Sequence, residues 1–168
     1  MKFLKTYSLL FLLALSTDSV LAQQATLDEL EATLKSADSL LFDRAFNHCE
    51  QYHLKTVIAE DFEFYHDQGG ISQSKAEFLR IMSDGICRKG NPVKSRRALV
   101  EGSLKVFPLY REGQLYGALQ TGEHRFFESY NGAPETKGSI ALFSHLWLLK
   151  DNQWQVARVI SYDHKSQL

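Results

Sequence analysis

The side chains that could carry chemistry begin with a histidine and an aspartate in the stretch FYHDQGG, residues 64–70. His66 and Asp67 are adjacent, but successive residues of a strand point to opposite faces, which makes them poor partners for one dyad. Asp67 and the residues up to Gly70 are instead predicted to form the turn that ends a strand. His66 stays a candidate catalytic residue, on the face that it shares with Phe64.

A second set of candidates lies in the last predicted hairpin. Asp151-Asn152 is typical of a two-residue turn, and this register predicts that His145 faces Arg158, with Tyr162 further along the same face. A histidine and an arginine in an apolar, aromatic row are costly unless they are paired or line a cavity. We therefore expect the two side chains to share one ligand or carboxylate; the alternative is a pair at the sheet rim that reaches solvent.

Glu101 is expected in the middle of a strand, where it is either an exposed residue or a base whose pKa is raised by burial. In an enzyme, His66 or His145 would be the base, and Glu101 or Asp163 would orient it. Arg158 or Tyr162 would then stabilise an oxyanion. The predicted catalytic residues are His66, Glu101 and His145, and the predicted binding residues are His124, Arg158, Tyr162 and Asp163.

Several classes of function find no support in the sequence. It contains no HxH or HExxH spacing, so no metal site is predicted. It contains no GxSxG elbow and no glycine-rich phosphate loop, so neither a nucleophilic serine nor a cofactor is predicted. The formal net charge is −1, and the one basic cluster, within residues 88–97, is expected to be solvated. No nucleic-acid partner is predicted.

The first 22 residues have the pattern of a cleaved signal peptide. Lys2 and Lys5 precede an apolar run that is too short to span a bilayer, and Ala22 lies at the predicted cleavage point. We expect an exported protein, periplasmic or secreted, with one domain over residues 23–168 and no membrane contact after cleavage. In an oxidising compartment Cys49 and Cys87 are predicted to form a disulfide, although two buried thiols remain the alternative.

Helices come first along the chain and strands afterwards. Capping boxes at Thr26–Glu29 and Ser74–Glu77 predict helices that end near residues 46 and 86, with a short helix between them. Alternating apolar residues predict one strand ahead of residue 67 and four after Pro92, over residues 97–109, 116–129, 139–150 and 154–164. This order predicts an α+β fold in which helices cover one face of a strongly curved, mainly antiparallel sheet and leave an internal pocket.

Four stretches, taken in order, resemble the nuclear transport factor 2-like superfamily: FEFYHDQGG, RRALVEGSLKVFPL, YGALQTGEHRFF and FSHLWLLKDNQWQVARVISYDH. The chain most resembles exported bacterial members that carry a domain of unknown function. The resemblance covers roughly residues 27–165. It implies a cone-shaped half-barrel with an apolar pocket, commonly in a homodimer. Ketosteroid isomerase, scytalone dehydratase and the SnoaL-like polyketide cyclases use acid–base residues in such a cone without a cofactor, and other members only bind ligands or partner proteins.

Two hypotheses of function follow. The first is an exported protein that binds a small apolar ligand and, in its enzymatic form, acts as a cofactor-free isomerase, dehydratase or cyclase. The second is a non-enzymatic module whose exposed sheet face pairs with a second copy or with another exported protein. Strand aromatics, namely Trp147, Trp154 and Phe127, would then anchor the interface.

Overall fold

The computed structural model describes the backbone of residues 14–167 and the side chains of residues 27–167. The predicted signal peptide therefore lies largely outside the described residues. Helix α1 spans Ala14–Ser39 and continues as a π-helical segment over Leu40–Asn47. The predicted helix start at Thr26 is wrong, because the preceding Leu-Ala-Gln-Gln-Ala run consists of helix formers that continue the helix. No described helix is long and apolar enough to cross a membrane.

The remaining helical segments are short. A 3-10 turn at Gln51–His53 leads into α2, Leu54–Val57, and α3 spans Lys75–Ile81 before a π-helical turn at Met82–Ile86. The second capping box is confirmed, since Ser74 Oγ accepts a hydrogen bond from the Glu77 amide at 3.2 Å. The predicted disulfide is confirmed as well.

That disulfide joins Cys49 to Cys87 across 38 positions, with their Cα atoms 5.5 Å apart. Each cysteine follows closely on a π-helical segment. The bridge therefore fastens the end of the long N-terminal helix to the end of the α3 region, and both helices lie over the sheet.

Seven strands form one mixed, open sheet, which confirms the predicted α+β fold. Their order is β2-β1-β7-β6-β5-β3, and β4 pairs with another part of β5. Among the strands of residues 14–167, β1 and β7 are the one parallel pair, and the other pairings are antiparallel. The bounds are β1 Ile58–His66, β2 Gly70–Ser72, β3 Val93–Leu99, β4 Lys105–Arg111, β5 Gln114–Tyr130, β6 Thr136–Lys150 and β7 Gln153–Ser166.

The predicted strand over residues 97–109 is in fact two strands. β3 ends at Leu99, and β4 begins at Lys105 after a turn. Gly102 in that turn has φ 74°, a left-handed conformation that glycine adopts without a steric penalty. Glu101 therefore lies exposed in the turn, and its predicted position within a strand is wrong.

A β-bulge at Ala157 overturns most of the predicted register of the last hairpin. Trp147 pairs with Val156 as expected, but Leu146 pairs with Arg158, so Ala157 is one extra residue. A one-residue shift moves every following side chain to the other face. The predicted pairing of His145 with Arg158 is therefore wrong, because His145 pairs with Val159.

A second bulge near the end of β7 reverses the strand again, so that the residues after it return to the sheet face predicted from the sequence. Leu142 pairs with Tyr162 and Ile140 with Lys165, which leaves one more extra residue. Asp163 has φ 59° there, in the left-handed region. The inner face of β7 consequently carries Val159 and Ser161 ahead of this bulge and His164 after it.

The core fills the space between the helices and the inner sheet face. Its large, fully buried side chains include Leu34 from α1 and Phe62, Phe143 and Trp147 from the sheet. The same space also holds buried polar side chains, which need hydrogen-bond partners in this otherwise apolar interior. They include Asp38, Arg97, Gln120, His124, His145 and Ser161.

Candidate functional site

A cavity of about 330 Å³ lies between the helices and the inner face of the sheet. Most of its wall is aliphatic or aromatic. Three histidines and Ser161 form one polar part of the wall, and other polar residues lie elsewhere along it. The apolar lining includes Phe42, Phe46, Phe62, Phe64, Phe78, Met82, Phe126 and Val159, and the polar lining includes His66, His124, Ser161, His164, Gln68, Ser95, Glu128 and Ser139.

Asp67 and His164 form a dyad beside this cavity. The carboxylate accepts a hydrogen bond from the ring Nδ1 of His164 at 2.5 Å and a second from its backbone amide at 3.1 Å. Burial raises the pKa of Asp67, but these bonds outweigh burial and hold the pKa below its ordinary value. The dyad forms because β1 and β7 run side by side, so that the turn after β1 meets the bulged end of β7.

The hydrogen bonds that lead to the dyad all point in one direction. A guanidinium only donates, so Arg97 Nε donates to His124 Nδ1 at 3.2 Å and leaves the proton of that ring on Nε2. Nε2 of His124 lies 3.2 Å from Ser161 Oγ, which lies 3.4 Å from Nε2 of His164. We assign the bonds as running from Arg97 through His124, Ser161 and His164 to Asp67, and call these five residues the polar relay.

His124 is neutral in this relay. Burial lowers its pKa to about 3, and the charge of Arg97 adds to the effect. A neutral ring with Nδ1 accepting from Arg97 must carry its proton on Nε2, which agrees with the direction of the relay.

His66 stacks on His164, with ring centroids 4.3 Å apart and planes 17° from parallel. Its Nδ1 accepts hydrogen bonds from the backbone amides of Gln68 and Gly69 at 3.1 and 3.0 Å. Burial lowers the pKa of His66, and the nearby His164 acts in the same direction. The ring is therefore neutral with its proton on Nε2, which has no hydrogen-bond partner among the described side chains and backbone groups.

A buried ion pair lies behind the relay. Asp38 accepts from both terminal nitrogens of Arg97, at 2.5 and 3.2 Å, and both side chains are almost fully buried. Burial raises the pKa of Asp38, and Arg97 opposes that effect. The guanidinium also packs against the rings of Phe42 and Phe143, at 4.0 and 4.9 Å. The pair fixes Arg97, and Arg97 in turn fixes the tautomer of His124.

The sequence matches no family model and no curated protein. Solved structures do match it. ActVI-ORFA from Streptomyces coelicolor is 13% identical with a TM-score of 0.64, over 82% of this chain and 98% of that one. An NTF2-like superfamily protein from Salmonella enterica is 10% identical with a TM-score of 0.60, over 84% and 93%. This chain has the nuclear transport factor 2-like fold.

A third structure adds to the comparison, an NTF2-like protein from Novosphingobium aromaticivorans. It is 14% identical with a TM-score of 0.60, over 84% of this chain and 86% of that one. Identities this low establish the NTF2-like fold alone. The chemistry must therefore be argued from the residues that this chain places in its cone.

Some of the predicted site residues lie outside the NTF2-like cavity. Arg158 projects from the outer face, where its Nε donates to the Glu63 carboxylate at 2.8 Å and its Nη1 donates to the Asp61 carbonyl at 2.6 Å. Tyr162 and Asp163 are exposed, Asp163 beside Lys165 at 2.7 Å. Arg158 and Tyr162 lie on the outer face because the bulge at Ala157 reverses the face of the strand residues that follow it.

His145 does lie on the inner face, but in the closed core. Its Nδ1 bonds the Gln120 side-chain oxygen at 3.1 Å, and that oxygen also accepts from the Trp147 indole at 2.8 Å. Burial holds the pKa of His145 well below its ordinary value. The ring is fully buried and is not part of the cavity wall. Of the predicted site residues, the structure brings His66 and His124 to the cavity.

His66, Asp67 and His164 place three candidate ligand atoms within 4.8 Å of one another, so a metal ion has to be considered. Two features oppose it. Nδ1 of His66 already accepts two backbone amides, and the stacked rings direct their lone pairs side by side instead of toward one point. We interpret the three residues as a hydrogen-bonded cluster.

Sequence reasoning missed the residues that organise the site. Asp38 had a signal: it lies four residues after Leu34 and three before Leu41, within the apolar stripe of α1. Arg97 was assigned to a solvated basic cluster, yet it is only 4% exposed. Ser161 and His164 had no signal, because two bulges decide which face they occupy.

Proposed function

We propose that this chain is an exported protein whose cavity binds a small apolar carbonyl compound and transfers a proton on it without a cofactor. Proteins of this fold bind small molecules and often act as isomerases or polyketide cyclases. The Cys49–Cys87 disulfide supports export, since such bonds persist in oxidising compartments. The observation that carries the proposal is the Asp67–His164 dyad at the polar part of an otherwise apolar cavity.

His164 is the general base in this proposal. Asp67 holds its Nδ1 proton, so Nε2 carries the lone pair that Ser161 contacts in this structure, and once a ligand displaces that contact Nε2 can take a proton from carbon next to a carbonyl group. The carboxylate also stabilises the imidazolium that forms. His66, with Nδ1 occupied, offers its Nε2–H to the enolate oxygen. Removing His164 should therefore abolish proton transfer and leave apolar binding in place.

The test is deuterium exchange at the α-carbon of β-tetralone, a bicyclic apolar ketone, followed by NMR in D₂O. Wild-type protein should bind the ketone and accelerate exchange. His164→Gln should lower the rate by about a hundredfold or more, the usual contribution of a general base. Asp67→Asn should lower it as well, because the amide can hold the wrong tautomer of His164.

His48→Gln is the matched control. His48 is an exposed histidine that contacts Asp43 at 3.8 Å and lies away from the cavity lining. Its removal should leave exchange unchanged. Equal exchange rates in His164→Gln and in wild-type protein would show that the base lies elsewhere.

We also propose that the outer sheet face joins two copies of the chain. Phe107 and Leu119 pair across β4 and β5 and are 49% and 36% exposed, and Ile160 and Tyr162 continue the same face on β7. Apolar side chains grouped in this way are typical of interaction surfaces. Of the predicted anchors, Trp147 is excluded, because it is fully buried in the core.

Light scattering tests this surface. Wild-type protein should have the mass of a dimer, and Phe107→Ser with Leu119→Ser should yield the monomer. Tyr52→Ser is the control, since Tyr52 is 61% exposed but lies in the 3-10 turn away from the sheet. A monomeric wild-type protein would refute this second proposal and leave the cavity proposal intact.

A further inference from the structure

We propose that Ser161 is a nucleophile and that the relay hydrolyses esters of small apolar acids through an Asp67–His164–Ser161 triad. This activity goes beyond proton transfer on a ketone, which needs no covalent intermediate. It rests on the same cavity as the proposed function. The sequence offers no GxSxG elbow for it, but such triads are recognised by geometry and not by position in the chain.

The geometry is that of a nucleophile, a base and a group that orients the base. Ser161 Oγ lies 3.4 Å from His164 Nε2, and His164 Nδ1 lies 2.5 Å from the Asp67 carboxylate. The direction of the relay gives each atom its role. The serine hydroxyl donates to Nε2, while Nδ1–H donates to the carboxylate. This is the protonation state that a triad requires before attack.

His124 supplies a hydrogen-bond donor on the other side of the serine. Its Nε2–H lies 3.2 Å from Ser161 Oγ, and it is neutral because it is buried beside Arg97. When the serine oxygen attacks a carbonyl carbon, its lone pair no longer accepts from His124. That N–H is then free to donate to the oxyanion next to the new bond. The buried Asp38–Arg97 pair acts only through His124, as a positioning pair.

The cavity defines the class of substrate. Its wall beyond the histidines is aromatic and aliphatic, and a volume of about 330 Å³ suits a medium-length or aromatic acyl group. Arg97, the cation of the relay, is paired with Asp38, and Arg158 lies on the outer face. A neutral ester therefore fits this site better than a carboxylate or a phosphate.

The reaction balances with water as the only co-reactant. Ser161 Oγ forms a bond to the ester carbonyl carbon, and its proton passes to His164 Nε2. The tetrahedral intermediate then expels the alcohol, which takes that proton as the C–O bond breaks. Water attacks the acyl-serine and gives a proton to His164, and Ser161 leaves with that proton. The products are the carboxylic acid and the alcohol.

Two measurements on the full chain test the proposal. The first is hydrolysis of p-nitrophenyl hexanoate, and the second is the intact mass after exposure to an alkyl fluorophosphonate, with peptide mapping of the adduct. Wild-type protein should hydrolyse the ester and carry one adduct on Ser161. Ser161→Ala and His164→Gln should each lose activity by about a hundredfold or more. The matched control is Ser144→Ala on the outer face of β6, opposite Ile160, which should keep the wild-type rate.

Each outcome decides the question. No adduct on the wild-type protein, an adduct elsewhere, or a wild-type rate in Ser161→Ala would overturn the assignment. Labelling of the wild-type protein does not depend on any variant folding correctly. The two wild-type measurements also separate the proposals. Ketone exchange without a serine adduct refutes the nucleophile alone, and an adduct without exchange refutes proton transfer alone.

Discussion

Replacing Arg97 by methionine should destabilise the fold by about 3–5 kcal/mol at neutral pH, the cost of breaking a buried ion pair from one side. The structure gives the reason. Asp38 loses both of its charge-assisted hydrogen bonds from Arg97 and keeps only a 3.5 Å contact with a histidine. A carboxylate that is 3% exposed has no solvent to replace the lost donors. Methionine preserves most of the packing against Phe42, so the loss is mainly electrostatic.

The deficit should shrink as the pH falls. Burial raises the pKa of Asp38 and Arg97 opposes it, so removing Arg97 raises that pKa further above its value in the unfolded chain. A group of this kind contributes stability that is fully present below its unfolded pKa and is lost as pH rises through its folded pKa. Arg97 also lowers the pKa of His124, so its removal eases protonation of that ring too. Both effects favour the variant at low pH.

Urea unfolding at pH 7.5 and pH 5, followed by the fluorescence of Trp147 and Trp154, measures both effects. Arg96→Met is the matched control: Arg96 lies next in β3, but its pair with Glu135 is about 40% exposed and screened by solvent. The double variant Asp38→Asn with Arg97→Met should recover part of the loss, because no charge is left unpaired. Equal deficits for Arg96→Met and Arg97→Met, or a deficit independent of pH, would refute the reasoning.

Three further outcomes follow from the fold. Reducing the Cys49–Cys87 bridge should lower the free energy of unfolding by about 3–4 kcal/mol, measured by urea unfolding with and without reductant. Gly122→Ala should cost about 1–3 kcal/mol in the same assay, because its new Cβ would lie 2.7 Å from the ring of Phe143. His124 should stay protonated only on Nε2 from pH 8 to 5 in ¹⁵N NMR, since its pKa is about 3; titration near pH 6.5 would contradict the relay.

Local patterns predicted the elements of this fold well. Apolar residues spaced three and four apart located α1, the Ser74 capping box located α3, and the alternation ahead of residue 67 placed Phe62, Phe64 and His66 on the inner face. Each of these signals is carried by residues close together in the chain, where helix and strand periodicity is decided. The disulfide followed from the count of cysteines and the predicted compartment.

The site depended on features that periodicity does not contain. One inserted residue at Ala157 reverses the face of Arg158, and another at Asp163 returns His164 to the interior. Such bulges shift the register by a single position and leave no mark in the hydrophobic pattern. Asp67 shows a related limit. It is a turn residue whose carboxylate lies 3.4 Å from His66 Nδ1, but the histidine to which it hydrogen-bonds lies 97 positions later.

In the proposed reaction, access to solvent favours His164 over His145 as the base. In the proposed deuterium exchange, the base has to trade its proton with solvent in each turnover. His145 is fully buried, bonds Gln120, and has a pKa held well below its ordinary value, so it has no route to water. His164 bonds the last member of the relay, Asp67, whose side chain is 31% exposed. Arg97 is held by a buried ion pair at the closed end of the relay, whereas solvent reaches Asp67 at the other end. The proposed chemistry is therefore assigned to Ser161, His164 and Asp67 and not to His145.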